Sequence, residues 1–392
     1  MWISNIELDG FRNYNELFLA LPQGLVFIHG DNGQGKSNLL EAIHLLSIFR
    51  SFRASREAEL INWNIDRTNS SQYALITATA NPDKTPLTIK LMIENQSREG
   101  FSESANLGVK KRVRLNGSPK RISELVGLIP SILFSPDDIQ LIAGAPSIRR
   151  RFLDLMISQV DPVYLDDLRR YLKILVQRNK LLRTEKGSKS LHDQLSHWDI
   201  QLAKSGSNML LKRYDAIESL QINIQPIYNS LTESSDEFSL AYTSTVPING
   251  NKSSLETSFL DNLTLSRNRD ISLGSTTIGP HRDDISLCQN GRQIATYASR
   301  GQARIIALIL KLGQAKYTEQ FRREQPVLLL DDVLAELDQH YQGRLIEHTA
   351  QYQQSILTST NATISKPTHQ TTCLSLQNGI FHPHIKCLVG ED

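Results

Sequence analysis

Two periodicities divide the chain. In the first quarter, apolar residues recur at alternate positions and predict strands at 3–9, 73–80 and 87–93, because neighbouring side chains of a strand face opposite ways. A short unbroken apolar run predicts another strand at 25–29, and one helix is expected at 38–48 with Leu39, Ile43 and Leu46 on one face. "KKRVRLNGSPKRI" then alternates into Asn116-Gly117, a pair that marks a tight hairpin turn.

From 149 the period becomes helical. "RRRFLDLMISQV" is interrupted by Pro162, and a helix resumes at 164–183. In it Leu165, Leu168, Leu172, Leu175 and Leu182 repeat at three-four spacing, with Asn179 in the same stripe. After a break at Lys186–Ser190 a second long helix runs from 191 towards 224. Two such antiparallel helices make an arm of about 40–50 Å. Residues 232–275 are rich in Ser, Thr and Asn, which predicts irregular strands and loops.

The last third returns to mixed character. A helix at 302–316 leads to "VLLLDD", an apolar run ending in carboxylates that suits a strand buried on both faces of a parallel sheet. "SILTST" follows a further helix. The expected fold class is therefore α/β, a sheet lobe split by an inserted helical lobe. Its parts are 1–148, 149–275 and 276–392.

Composition narrows the class without choosing a function. At 40% hydrophobic and 21% charged residues the chain reads as soluble and globular, and 392 residues allow two or three compact units. A formal net charge of +2 gives no average case for nucleic acid, so any such case rests on local clusters. Cys288, Cys373 and Cys387 are an odd set with no CxxC pair, which argues against a disulfide scaffold and for a reducing cytosol. No basic segment leads into an apolar stretch at the N-terminus. No apolar run approaches the roughly 20 residues of a membrane helix. A soluble, cytoplasmic protein is expected, with no membrane partner.

The chemistry sits in three stretches. "HGDNGQGKSN" contains Gly30, four residues, then Gly35-Lys36-Ser37, the full phosphate-loop pattern after a strand and opening a helix. Loop N–H groups and the helix N-terminus meet phosphate charge there. Lys36 would reach the β- and γ-phosphates, and Ser37 would hold Mg²⁺. Downstream, Asp331 and Asp332 end the buried strand. A nucleotide-bound Mg²⁺ takes one or two carboxylates, and hydrolysis needs a group to orient water. Asp331 suits the metal and Asp332 the water.

The third stretch is "YASRGQARI". A serine ahead of a helix is ordinarily an N-cap. Together with the other two motifs, however, Ser299-Arg300-Gly301-Gln302 resembles the signature of ABC-type ATPases. That resemblance implies a head-to-tail dimer in which Ser299 meets the ATP held by the other copy. Gly301 lets backbone approach phosphate, and "AELD", ending in Asp338, resembles the D-loop of the same interface. "FRNY" (11–14) resembles the entry of SMC-like DNA-repair ATPases.

"FSPDDIQLIAGAPSIRRRFLD" (134–154), "GPHRDD" (279–284), "YASRGQAR" and "LLLDDVLAELD" together resemble the RecF family of bacterial recombination and gap-repair ATPases. The resemblance covers nearly the whole chain. It implies an ABC-type P-loop ATPase head, a mixed sheet with helices, an inserted helical second lobe and no long coiled coil. The cofactors implied are ATP and Mg²⁺. On the resemblance, the nucleotide is bound by Arg12, Gly30, Asp31, Asn32, Gly33, Gln34, Gly35, Lys36, Ser37 and Asn38, and by Arg300, Gly301, Gln302 and Asp338. Lys36, Asp332 and Ser299 carry catalysis, with Ser37 and Asp331 on the metal. The implied function is an ATP-dependent homodimer that clamps double-stranded DNA near gaps, assists RecA loading with RecO and RecR, and is released by slow, DNA-stimulated hydrolysis. Asp332 stands where most ABC ATPases carry Glu, which fits slow turnover. Thr358-Ser359-Thr360 occupies the switch position, so no switch histidine is named. Gln140 is the candidate Q-loop glutamine.

Two basic clusters are candidates for phosphate contacts. One is Lys110, Arg112, Arg114, Lys120 and Arg121. The other is Arg149, Arg150, Arg151, Arg169, Arg170, Lys173, Arg178, Lys180 and Arg183. His382, His384 and Cys387 lack a fourth ligand for a metal. Trp198 and the leucine stripe read as helix packing, and His281 has no assigned role.

Overall fold

The N-terminal alternation becomes an antiparallel sheet. β1 (Trp2–Phe11) and β2 (Tyr14–Ala20) form a hairpin, β3 (Gly24–His29) leaves for another sheet, and α1 (Lys36–Ile48) follows it. β4 (Tyr73–Asn81), β5 (Leu87–Asn95), β6 (Val109–Leu115) and β7 (Ser118–Lys120) complete the order β2-β1-β4-β5-β6-β7. Along β4 every second residue is buried. Asn116 and Gly117 turn β6 into β7 with φ of 48° and 81°, the two positive values that a type I′ turn needs. The computed structural model describes all residues except 64–71, 82–84, 96–107, 186–187, 189, 249–250, 365–370, 378, 385–387 and 390–392. Parts of the expected helix break at 186–190, and Cys387, lie outside the described residues.

A short α2 (Ile122–Leu125) precedes β8 (Ser131–Phe134), the edge of the second sheet. The chain then passes through α3 (Gln140–Ala143), α4 (Pro146–Ser158), α5 (Pro162–Thr184), α6 (Leu191–Thr232), β9 (Phe238–Thr243), α7 (Lys252–Leu273), β10 (Asp284–Gln289) and β11 (Arg292–Gln293). It returns through α8 (Arg300–Arg322) to β12 (Val327–Asp331), α9 (Gln339–Thr349), β13 (Gln354–Ser359), β14 (Thr363–Ile364), β15 (Thr371–Gln377) and β16 (Ile380–His384).

The second sheet has the order β16-β15-β3-β13-β12-β8 and is parallel except for the β15–β16 pair. β12 and β13 are buried along their whole length, as the apolar run of β12 requires. One core runs from Ile3, Ile6 and Leu8 of β1 through Leu39, Ile43 and Leu46 of α1 to Leu329 and Ile356. α1 is covered nearly all round, so that even Glu41, His44 and Ser47 are buried. The segment after Lys366, for which the sequence suggests no place, supplies β15 against β3. Cys288 is a free thiol.

The chain forms two compact units. One is Met1–Asp138 with Ser230–Glu233 and Leu308–Asp392; the other is Ile139–Asn229 with Ser234–Ala307. The boundaries therefore differ from those read in the sequence: the inserted unit starts at 139 rather than 149 and continues past 275 into α8. A single guanidinium explains much of this. Arg149 donates to Leu141 O and Gly144 O, and forks onto both carboxylate oxygens of Asp284 at 2.7 and 2.8 Å. It binds the α3 segment and β10 into one body.

Within that second unit α5 and α6 are antiparallel. Arg178 meets Asp199, Asp167 meets Asn208, and Asp161 meets Lys212, so one number falls as the other rises. Asp161 caps α5 ahead of Pro162, which starts this helix rather than breaking one. α6 extends past the expected 224 to Thr232 and holds Pro226 inside it.

Two expectations fail here. Residues 232–275 contain a 22-residue helix, α7, capped by the Asn251 side chain and ended by Gly274 at φ 65°. Its buried Leu255, Phe259 and Leu263 keep helical spacing that the surrounding Ser, Thr and Asn obscure. The buried stripe of α5 is Tyr164, Tyr171, Ile174, Leu175, Arg178 and Leu182, so the expected leucine stripe holds at Leu175 and Leu182, is half-buried at Leu165 and Leu168, and fails at the exposed Leu172. Polar bonding of Arg178 decides this, because its burial with Asp199 and Asp270 fixes which face turns inward.

Candidate phosphate-binding site

The loop between β3 and α1 is shaped by close contacts. A Cβ on Gly30 would stand 2.4 Å from Leu376 O of β15, so the C-terminal strand itself requires glycine there. Gly35 sits at φ 116° with Asn13 and Tyr14 side-chain atoms at 2.8 Å from where its Cβ would be. Tyr14 OH donates to Gly35 O at 3.0 Å, Asn13 Nδ2 to Gln34 O at 3.1 Å, and Asn38 Nδ2 to Asn13 Oδ1 at 2.7 Å. The turn after β1 thus braces the loop from outside.

Lys36 folds back over its own loop and donates to Gly30 O at 2.5 Å and Asp31 O at 2.9 Å. Burial pushes its pKa down, while Asp332, Asp331 and Asp31 oppose that. Ser37 Oγ donates to Asp331 Oδ1 at 2.7 Å, and Thr358 Oγ1 lies 3.1 Å from the same oxygen. Thr358 also accepts the Asp332 N–H at 3.2 Å. Asp332 takes a positive φ of 51° just beyond the strand end. Burial raises its carboxyl above the ordinary range, with the Thr360 N–H and Lys36 pulling the other way. Its Oδ1 is buried with no hydrogen-bond partner among the described residues.

Asn32, Gly33, Gly35, Lys36, Ser37, Asn38, Arg53, Asp331 and Asp332 line one cavity of about 180 Å³. The structure therefore brings together the loop, Arg53 and both predicted carboxylates, from three separated stretches. A hydroxyl and a carboxylate oxygen in contact form a hard-oxygen pair suited to Mg²⁺. An orphaned carboxylate oxygen and a lysine bonded only to its own loop leave groups to meet phosphate and water. Arg53 and Thr358 were not assigned a role from the sequence: Arg53 lies in no motif, and Thr358 shows its role only through the β12–β13 register.

The other predicted residues fall elsewhere. Ser299 caps α8 reciprocally with Gln302: Gln302 N donates to Ser299 Oγ at 3.2 Å, and Ser299 N to Gln302 Oε1 at 3.0 Å. Ser299, Arg300, Gly301 and Gln302 are exposed and belong to the second unit, whereas the phosphate loop belongs to the first. A Cβ on Gly301 would meet nothing closer than Ser299 Oγ at 4.0 Å. Asp338 is exposed at the N-terminus of α9. Arg12 is held by a bidentate pair with the buried Glu41, both contacts at 2.8 Å, and donates to Glu59 O. Gln140 opens α3, after β8.

The basic clusters separate into free and engaged groups. Lys110, Arg112 and Arg114 share the exposed face of β6, with Arg112 paired to Glu94 at 3.2 Å. Arg149 is engaged by Asp284, Arg150 donates to Asp283 O, and Arg178 is fully buried between Asp199 and Asp270. These three are structural rather than phosphate contacts. "GPHRDD" supplies the partners of Arg149 and Arg150. Within it His281 receives the Tyr171 hydroxyl at Nδ1 and donates from Nε2 to Thr276 O. Burial lowers its pKa to about 4, the neutral form that this pairing needs. No group of metal-ligating side chains occurs among the described residues, and no helix among them is long and apolar enough to cross a membrane.

Residues 2–382 match the RecF/RecN/SMC N terminal domain. The DNA replication and repair proteins RecF of Bacillus thuringiensis strain Al Hakam and Bacillus anthracis strain A0248 are each 34% identical over 92% of both chains. Two solved structures of the recombination mediator protein RecF in the RecFOR pathway, with ATPrS and with ATP, superpose at TM-score 0.84 and 31% identity. They cover 97% and 98% of this chain and 98% and 97% of theirs. An Smc head domain from Pyrococcus furiosus shares the fold at TM-score 0.52 and 18% identity, over 98% of this chain and 96% of its own.

Proposed function

The chain belongs to the RecF family of DNA replication and repair proteins, with the ABC-type head of the RecF/RecN/SMC group, and on that premise we propose that it is a slow, DNA-stimulated ATPase that clamps duplex DNA beside single-strand gaps. The observation that carries this reading is the meeting of Ser37, Asp331, Asp332 and Lys36 around one cavity. RecF has been solved with ATP and belongs to the RecFOR pathway. Carried to this chain, that gives ATP as substrate and RecO and RecR as partners, with RecA loading as the outcome, in the cytoplasm.

Lys36 releases its loop carbonyls and turns its ammonium to the phosphates, a charge-assisted contact stronger than the one it leaves. Ser37 and Asp331 hold Mg²⁺, which supplies neutralisation of phosphate charge when bound. Asp332, short and partly buried, positions the attacking water through its free Oδ1. Arg53 adds a cation at the rim of the cavity. Ser299, Gly301 and Asp338 act from a second copy in a head-to-tail dimer. Two things support this: they are exposed, and among the described residues nothing packs against Gly301 closely enough to require glycine. Lys110, Arg112 and Arg114 give the sequence-independent DNA contact. Arg12 is better placed to brace α1 through Glu41 than to bind nucleotide.

The test is ATP turnover by the purified protein as gapped duplex DNA is titrated in. Saturable stimulation that weakens with salt supports the clamp. A rate indifferent to DNA leaves an ATPase head and removes the clamp.

A further inference from the structure

Helix α5 carries two apolar stripes, and only one is used. The inner stripe, Tyr164, Tyr171, Ile174, Leu175 and Leu182, is buried in its own unit. The outer stripe is Leu165, Leu168, Leu172 and Val176, at intervals of i, i+3, i+7 and i+11. At 3.6 residues per turn these four fall within about 80° of arc and extend about 16 Å along the helix. Leu172 is 48% exposed and Val176 63%, with Leu165 and Leu168 half-buried behind them.

Exposed apolar residues scattered singly need no explanation. This set is not scattered: it keeps the anchor spacing by which one helix reads another. Its border is also one-sided in charge. Arg169, Lys173 and Lys180 run beside it, Arg183 continues its line about two turns beyond Val176, and Arg170 lies further round, against the exposed Asp166. Of these, Arg169, Arg170, Lys173 and Lys180 form no ion pair among the described residues.

We propose that the outer face of α5 docks an acidic amphipathic helix of a partner protein. Its apolar edge covers Leu165, Leu168, Leu172 and Val176, and its carboxylates meet Arg169, Lys173 and Lys180. Charge complementarity selects the sign of the partner, and the apolar row selects its class. A phosphate backbone would satisfy the cations but gain nothing from Leu172 and Val176, whereas a helix gains from both rows at once. A second copy is a poor fit. The other helix of this unit with large exposed leucines, α7, shows Leu265 and Leu273 beside the exposed Arg269, while Arg267 turns inward to Asp199, so basic would face basic at Arg269.

The probe is a fluorescein-labelled helical peptide with leucines at i, i+3, i+7 and i+11 and glutamates on the adjoining face. Its control has the same composition with the leucines scrambled. Anisotropy with the full chain should show saturable binding of the amphipathic peptide only, weakening as salt rises. Leu172→Ser with Val176→Ser should weaken it at least tenfold, and Lys173→Glu with Arg169→Glu should do the same and remove the salt dependence. All four positions are exposed, so an unchanged melting temperature separates lost docking from lost folding. Failure of the amphipathic peptide to bind, equal binding of both peptides, or undiminished binding by the serine variants would overturn the proposal. So would a serine variant that loses duplex DNA binding, which assigns the face to nucleic acid. Loss of self-association would likewise assign it to a second copy.

Discussion

Ser37 Oγ and Asp331 Oδ1 lie 2.7 Å apart although 294 positions separate them in the chain. The register of the parallel sheet makes the pair: β3 carries the loop that ends in Ser37, β12 ends in Asp331, and β13 lies between them with Thr358 bonded to the same carboxylate oxygen. Replacing Asp331 by Asn should leave the sheet intact, since the amide still accepts from Ser37. It should lower Mg²⁺-dependent ATP turnover by about a hundredfold or more, in the range of a lost charge-stabilising group. Steady-state phosphate release at saturating ATP measures this, and near-normal turnover would remove Asp331 from the metal site.

Lys36→Met keeps the stem and removes the charge. Loss of a charged hydrogen-bonding group of about 1.5–3 kcal/mol predicts ATP binding weaker by roughly ten- to a hundredfold. ATP-dependent retention on DNA should fall with it. Equilibrium binding of a fluorescent ATP analogue is the measurement, and undiminished affinity would rule out the loop assignment.

Gly30 and Gly301 make opposite forecasts. Alanine at 30 drives a methyl into the Leu376 carbonyl, so stability should drop by about 1–3 kcal/mol and the loop should distort. Alanine at 301 meets open space and should leave the melting temperature and monomer ATP binding unchanged. Because its neighbour in the proposed dimer is nucleotide, Gly301→Ala and Ser299→Arg should both abolish ATP-dependent dimerisation. Analytical ultracentrifugation with and without ATP decides the matter. A dimer that survives both changes would contradict action in trans.

Arg178 is fully buried between Asp199 and Asp270, each contact at 2.7 Å. Arg178→Met removes one buried partner from each carboxylate, leaving Asp199 with Arg267 and Asp270 with the Thr277 N–H and hydroxyl, and breaking a buried pair from one side costs up to about 3–5 kcal/mol. Denaturant unfolding should show that loss with ATP binding by the first unit retained. A change under 1 kcal/mol would mean the carboxylates find other partners.

His281 gives a pH dependence. Its folded pKa of about 4 lies below its ordinary value of 6.5, owing to burial. Stability from this group is therefore complete above about 6.5 and is lost as pH falls towards 4, because the unfolded chain takes the proton first. The loss reaches about 3 kcal/mol at most. His281→Asn should flatten the fall in melting temperature between pH 7 and pH 4.5. An identical slope in the variant would assign the fall to other groups.

The chain's own order of residues determined the chemistry. Gly30 to Ser37 and "LLLDD" are contiguous, and the backbone conformations and residue types they need are local properties. Period-two alternation likewise placed β1, β4, β5 and the Asn116-Gly117 turn, since strand faces repeat over short distances. α7 escaped because three apolar positions among many polar ones give a weak period, and it is packing of Leu255, Phe259 and Leu263 that holds it. Which stripe of α5 faces inward, that Arg149 and Arg150 serve "GPHRDD" rather than phosphate, and that β15 makes Gly30 obligatory were decided only in three dimensions. Each depends on a partner far along the chain, and a local pattern carries no information about which buried charge or carbonyl will arrive beside it.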